Sequence, residues 1–210
     1  MSKVEEVKRQ AIRLMADKGF EAMSLRQLAT ALGVRSGSVY THYRSKGQLL
    51  VDVHCDYLED LLSQWMEQRH QLFDSVQMLR RFVSVYVNFH YARPAESRIV
   101  QLDFRSLEGE GRTQVCELKA QYEAELEAIL QTGEQRGVFQ FADLYGTRLA
   151  IFCVLQGICA DQVWPESRAL EVCLSSVTSL AGISLPAKAR HHADLRVQGR
   201  VAAALMAARS

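Results

Sequence analysis

Apolar residues recur along this chain at spacings of three and four, the period of a helix with one buried face. Val4, Val7, Ala11, Leu14 and Met15 form such a stripe and predict a helix over 3–18, stopped at Gly19. Leu25, Leu28, Ala29 and Leu32 predict a short second helix, with Ser24 placed to cap its free N–H groups. Gly33 ends it, since a residue without Cβ enters the left-handed conformation most easily. After Val34-Arg35 a third short helix is expected over 36–43, burying Val39 and Tyr43. Its outward positions are Ser36, Ser38, Tyr40, Thr41 and His42. Arg35 carries no capping oxygen, so Ser36 is expected to cap this helix.

A long fourth helix is predicted from 45 or 46 to about 69, ending in Tyr57, Leu58, Leu61, Leu62, Trp65 and Met66. One rigid rod would then serve two cores. Further helices are expected over 75–90, 95–107, 112–135, 144–164 and 166–181, with breaks at Arg93-Pro94, Gly109–Gly111 and Gly137. The chain therefore predicts an all-α protein of about nine helices. No charge interrupts 149–160, and 166–181 lacks charge beyond Glu171. Helices apolar around most of their girth need cover on more than one side. Two such helices from each of two protomers would form a four-helix bundle about a two-fold axis, a homodimer through about 144–181.

Charge divides the chain. Residues 1–50 hold nine Lys/Arg against four Asp/Glu, a net of +5. Residues 51–185 hold eleven against nineteen, a net of −8, and 186–210 hold five against one, a net of +4. A basic head on an acidic body suggests that one part alone meets nucleic acid. The expected division is a head over 1–47, a body over 48–185 and a basic tail over 186–210. The five cysteines form no CxxC pair, and no His/Cys/Asp/Glu spacing suggests a metal or cofactor. No nucleophile–base constellation or Gly-rich phosphate loop appears, which argues against an enzyme. No stretch is long and apolar enough to span a membrane, and 1–20 lacks a signal-peptide pattern, so a cytoplasmic protein is expected.

The two short helices around Gly33 make a helix-turn-helix. Its outward face holds hydroxyls and an imidazole but no carboxylate, and Arg26, Arg35, Arg44 and Lys46 flank it, which suits phosphate. The run Leu28-Ala29, Gly33-Val34, Gly37, Val39-Tyr40, His42-Tyr43, Ser45-Lys46 and Leu49-Leu50 closely resembles the DNA-binding domain of TetR-type transcriptional regulators. Arg35 and Gly47 depart from the family pattern, which has a capping Ser or Thr and an acidic residue there. The resemblance implies a dimeric repressor that binds double-stranded DNA. It also implies that Arg26, Ser36 and Ser38 read bases while Tyr40, Thr41, His42 and Lys46 hold phosphates.

The pattern from Arg105-Ser106-Leu107 through Tyr122 and Gly137-Val138-Phe139 to Trp164 is similar to TetR-type repressors of lipid and steroid catabolism. Some of those respond to acyl-CoA thioesters. In the body, Trp65, Phe82, Tyr86, Phe89, Tyr122 and Phe152 would line a ligand cavity, or form plain core. Arg98, Gln101 and Arg105 at i, i+3 and i+7 would place a cationic clamp beside it. The expected effector is a small amphipathic molecule such as an acyl-CoA or another lipid acid. The rival reading is an architectural or complex-forming DNA-binding protein with no small-molecule signal.

Overall fold

The structure, a computed structural model, describes residues 3–69, 74–160 and 162–183. The basic 186–210 segment lies outside the described residues. Among them run nine α-helices and one 3-10 turn: α1 (Lys3–Lys18), α2 (Leu25–Ala31), α3 (Ser36–Tyr40), α4 (Lys46–Gln68), α5 (Ser75–Ala92), α6 (Pro94–Leu102), the turn Asp103–Ser106, α7 (Gly109–Gln135), α8 (Leu144–Ala160) and α9 (Glu166–Leu180). No strand occurs among the described residues.

Several expected boundaries differ: α7 begins at Gly109, so Gly109–Gly111 forms its first turn and not a break, and others shift for local reasons. Helix α3 begins at Ser36 with Arg35 in the cap position, and no side chain caps it. A guanidinium only donates, so it cannot satisfy free N–H groups. The same helix stops at Tyr40, where Thr41 Oγ1 donates to the Ser38 carbonyl at 2.8 Å and the chain turns. Tyr43 is carried back into the core, its hydroxyl donating to Asp52 at 3.0 Å. The segment expected as one helix over 95–107 is α6 followed by a tighter 3-10 turn. Helix α8 ends at Ala160, and Pro165 occupies the cap position of α9.

Two apolar clusters organise the packing. The first gathers Ala11, Met15, Phe20, Leu28, Val39, Tyr43, Leu49 and Leu50. It does not stop at residue 47: Val53 and Leu58 of α4, Ile99 of α6, Leu107 at the end of the 3-10 turn and Val115 of α7 belong to it. The second is built around α5, which packs against α4, α7, α8 and α9. There Phe82 stacks on Tyr122 at 4.8 Å and meets Trp65 edge-on at 5.1 Å. Helices α8 and α9 bury Ile151, Phe152, Leu155, Cys159, Ala169, Cys173 and Val177 inside the protomer itself. On α8 and in the segment that follows it, Tyr145 (64% exposed), Leu149 (51%), Val163 (79%) and Trp164 (44%) are left in solvent.

Head and body meet where the first turn of α7 lies against α4. A Cβ placed on Gly111 would fall onto the Val51 side chain, so glycine permits this approach. Gly111→Val is expected to cost about 1–3 kcal/mol of stability by overpacking, read as a lower chemical-denaturation midpoint. An unchanged midpoint would show that the junction is loose.

Candidate functional site

The helix-turn-helix is fixed by its own polar groups. Ser24 Oγ accepts from the Gln27 N–H at 3.2 Å while Gln27 Oε1 accepts from the Ser24 N–H at 2.9 Å, a reciprocal capping box. Gly33 takes φ +67°, and the Val34 N–H closes back on the Ala29 carbonyl at 3.0 Å. A side chain at that φ is disfavoured, so this glycine sets the angle between α2 and α3. Leu28, Ala29, Val39 and Tyr43 face inward, leaving Arg26, Ser36, Ser38, Tyr40, Thr41 and His42 exposed. These six are available to DNA.

Lys46 is placed differently from the expectation of a free phosphate contact. Its Nζ donates to the carbonyls of Phe20 and Glu21 at 3.3 and 3.1 Å and pairs with the Glu21 carboxylate at 3.2 Å. It also sits 4.4 Å above the Phe20 ring. Lys46 therefore closes the α1–α2 loop onto the start of α4, and a phosphate there would compete with Glu21. The neighbouring Ser45 caps α4 by accepting from the Gln48 N–H at 3.1 Å.

The body holds a cavity of about 500 Å³ walled by α4, α5, α6, the 3-10 turn, α7 and α8. Of the aromatic residues expected there, Tyr86, Tyr122 and Phe152 line it. Trp65, Phe82 and Phe89 do not. Trp65 turns away, donating its Nε1–H to Glu125 at 2.8 Å, and Phe82 fills the space between it and Tyr122. Phe89 packs on Tyr57 at 4.9 Å under the Arg93 guanidinium. Since α5 is enclosed by four helices, only one of its faces can reach a cavity.

The arginine clamp is not formed. Arg98 and Arg105 are both exposed and neither lines the cavity. The change to a 3-10 turn at Asp103 breaks the i, i+7 register that would have kept them on one face. The residues that α6 and the turn present to the cavity are Val100, Gln101 and Phe104. The cation on the lining is instead Lys119, 3.7 Å from Glu123, which also pairs with Arg148 at 2.6 Å. His54 and Lys119 escaped the sequence reading, although each shares a helical stripe with residues singled out there. His54 precedes Tyr57, Leu58 and Leu61 at i+3, i+4 and i+7, and Lys119 precedes Tyr122 at i+3.

Both cavity histidines are neutral at pH 7. Burial lowers the His54 pKa, and its Nδ1 lies 2.9 Å from the Leu50 carbonyl. Burial brings His90 down to about 4, with Nδ1 2.8 Å from the Tyr86 carbonyl and its ring stacked on Tyr86 at 3.9 Å. A carbonyl only accepts, so the proton of each ring is assigned to Nδ1. Among the described residues no group of three metal-ligating side chains exists, and no helix is long and apolar enough to cross a membrane.

A helix-turn-helix head joined to an all-helical body with an apolar cavity is the architecture of a one-component bacterial regulator. Residues 9–53 match the model of bacterial regulatory proteins of the tetR family, and 73–160 match the tetracyclin repressor-like C-terminal domain. This chain belongs to the TetR family, which is one of transcriptional regulators and not of enzymes. The HTH-type transcriptional repressor KstR2 of Rhodococcus jostii is 28% identical over 62% of this chain and 64% of its own length. The chain thus matches less than two thirds of the curated relatives it resembles. The crystal structure of AibR in complex with isovaleryl coenzyme A and operator DNA superposes with a TM-score of 0.75 at 19% identity, over 84% of this chain and 98% of that one. FadR of Bacillus subtilis in complex with stearoyl-CoA gives 0.74 at 19% identity, over 87% and 100%.

The buried histidines fix a pH dependence. His90 binds its proton more weakly folded than unfolded, so its contribution to stability is present above pH 6.5 and is lost as pH falls toward about 4. The full window corresponds to roughly 3 kcal/mol. His90→Gln should flatten the decline in unfolding free energy between pH 7 and pH 4.5. An identical decline in the variant would place the acid sensitivity elsewhere.

Proposed function

We propose that this protein is a ligand-responsive repressor that binds a palindromic operator and leaves it when a small amphipathic molecule fills the body cavity. The observation that carries this reading is the two-sidedness of α6 and its 3-10 turn. Val100, Gln101 and Phe104 line the cavity, while Ile99 and Leu107 are packed in the head cluster. A ligand that displaces the first set moves the second, and with it the seat of the recognition helix α3. No comparable cavity contact is needed by a purely architectural DNA-binding protein, which disfavours that alternative.

In this reading α3 enters a major groove, with Arg26, Ser36 and Ser38 at base edges and Tyr40, Thr41 and His42 on phosphates. Lys46 contributes indirectly, by bracing the loop before α2. Two heads related by a two-fold axis demand half-sites separated by one or two helical turns, about 34 Å each. Helices α8 and α9 supply the dimer contact through the faces that the protomer leaves open, including Tyr145 and Leu149. Leu155 and Val177 are buried within the protomer and belong to its core.

The effector class is an acyl-CoA or another lipid acid. Tyr86, Phe152, Leu61 and Leu58 give the cavity apolar walls, and Lys119 offers the anionic end a partner in place of the arginines. That AibR and FadR hold acyl-CoA molecules on a similar fold supports the same choice. Releasing DNA about a hundredfold requires roughly 2.7 kcal/mol of differential affinity between the two dimer states. Burial of a few methylenes, at about 0.8 kcal/mol each, reaches that figure.

In vitro selection of bound sequences should return a palindrome, with log affinity falling steeply against log salt. Sites without two-fold symmetry would contradict the reading. Arg26→Ala or Ser38→Ala should narrow the gap between specific and non-specific binding by about 1–3 kcal/mol per lost base contact. Long-chain acyl-CoA should release the operator from wild type. Lys119→Ala should blunt that release about tenfold and Arg105→Ala should leave it unchanged; the reverse pattern would restore the arginine to the site.

A further inference from the structure

The cavity is not uniformly apolar. Four residues on three different walls hold buried polar atoms with no hydrogen-bond partner among the described residues: His54 Nε2 and the Tyr57 hydroxyl on α4, Gln101 Nε2 on α6 and the Tyr122 hydroxyl on α7. Neither His54 nor Tyr122 reaches solvent appreciably, at 0% and 3% exposure. A buried polar group without a partner costs about 1–3 kcal/mol, and native cores rarely leave several together. A straight hydrocarbon chain laid in this cavity would keep all of them unsatisfied.

Their polarity can be read individually. The Gln101 amide nitrogen only donates, and the Tyr122 hydroxyl donates or accepts. His54 Nδ1 faces the Leu50 carbonyl at 2.9 Å; with the proton assigned there, Nε2 is left as an acceptor and is answered by a donor. A ketone or an ester oxygen can answer Gln101 or Tyr122 but has no proton for His54. A hydroxyl group answers all three types. Resting on the effector reading above, we infer that the ligand is a lipid acid bearing at least one hydroxyl within its apolar body, held by His54, Gln101 and Tyr122. Sites built to hydrogen-bond a ligand hydroxyl discriminate strongly against the analogue lacking it, because the site's own groups are stranded. The competing arrangement is that ordered water answers these atoms in every state, and then a hydroxyl confers no advantage.

Calorimetric titration of the full-length protein with matched acids separates the two. The probes are stearic against 12-hydroxystearic acid and cholanic against deoxycholic acid. At least one hydroxylated acid should bind ten- to a hundredfold tighter than its parent. Tyr122→Phe and Gln101→Leu should each shrink that gap several-fold. Equal binding within both pairs, with the parents still releasing operator DNA, overturns the hydroxyl assignment alone. Gaps that both variants leave intact overturn it too. If none of the four acids binds or releases DNA, the cavity is no effector site for lipid acids, and both readings fall together.

Discussion

The fold depends on the way α6 and its 3-10 turn are shared between two apolar clusters. Ile99 and Leu107 are almost fully buried with the head, Phe104 packs against the same cluster while lining the cavity, and Val100 packs on the body cluster beside it. Close-packed clusters are not continuously deformable, so a segment held by both passes a displacement from one to the other. Helix α4 reinforces the link, carrying Leu49 and Leu50 in the head and Leu61 and Trp65 in the body. Ion pairs of Lys8 with Asp56 and of Arg93 with Asp60 fasten α1 and the end of α5 to the same rod. Such partly exposed pairs contribute at most about 1 kcal/mol each, so apolar packing carries the junction.

Much of this was legible in the sequence because helix punctuation is local. Ser24 and Gln27, Gly33, Ser45 and Gly137 mark ends by chemistry that acts within four residues, and the helix order follows from them. The exposed face of α3 was legible for the same reason, since Val39 and Tyr43 bury one side of a short segment and leave Ser36, Ser38 and His42 outside. What sequence periodicity cannot supply is the rotation of one helix against another. The aromatic stripe of α5 pointed to a cavity, yet four neighbouring helices divide its circumference, and only Tyr86 of the three rings named there lines the space.

The arginine clamp shows the limit from another side. Arg98 and Arg105 share a face only if the helix is continuous, and the 3-10 turn at Asp103 removes that condition. Lys46 has a structural role that its place in the sequence did not announce. Its charge suggested phosphate, while its reach allowed it to satisfy two backbone carbonyls of the α1–α2 loop. A lysine stem long enough to cross a loop serves structure as readily as binding. The exposed Tyr145 and Leu149 leave room for a second copy on α8, but on a narrower face than the uncharged run implied.

If the cavity and the head are coupled through α6, the coupling is reciprocal: operator DNA must weaken ligand binding by the factor with which ligand weakens operator binding. Titrating an effective acyl ligand into the free protein and into its saturated operator complex measures this directly. The two affinities should differ by the same factor, about a hundredfold, that separates operator affinity with and without ligand. Equal ligand affinity for the free and DNA-bound protein would contradict a cavity that controls the head.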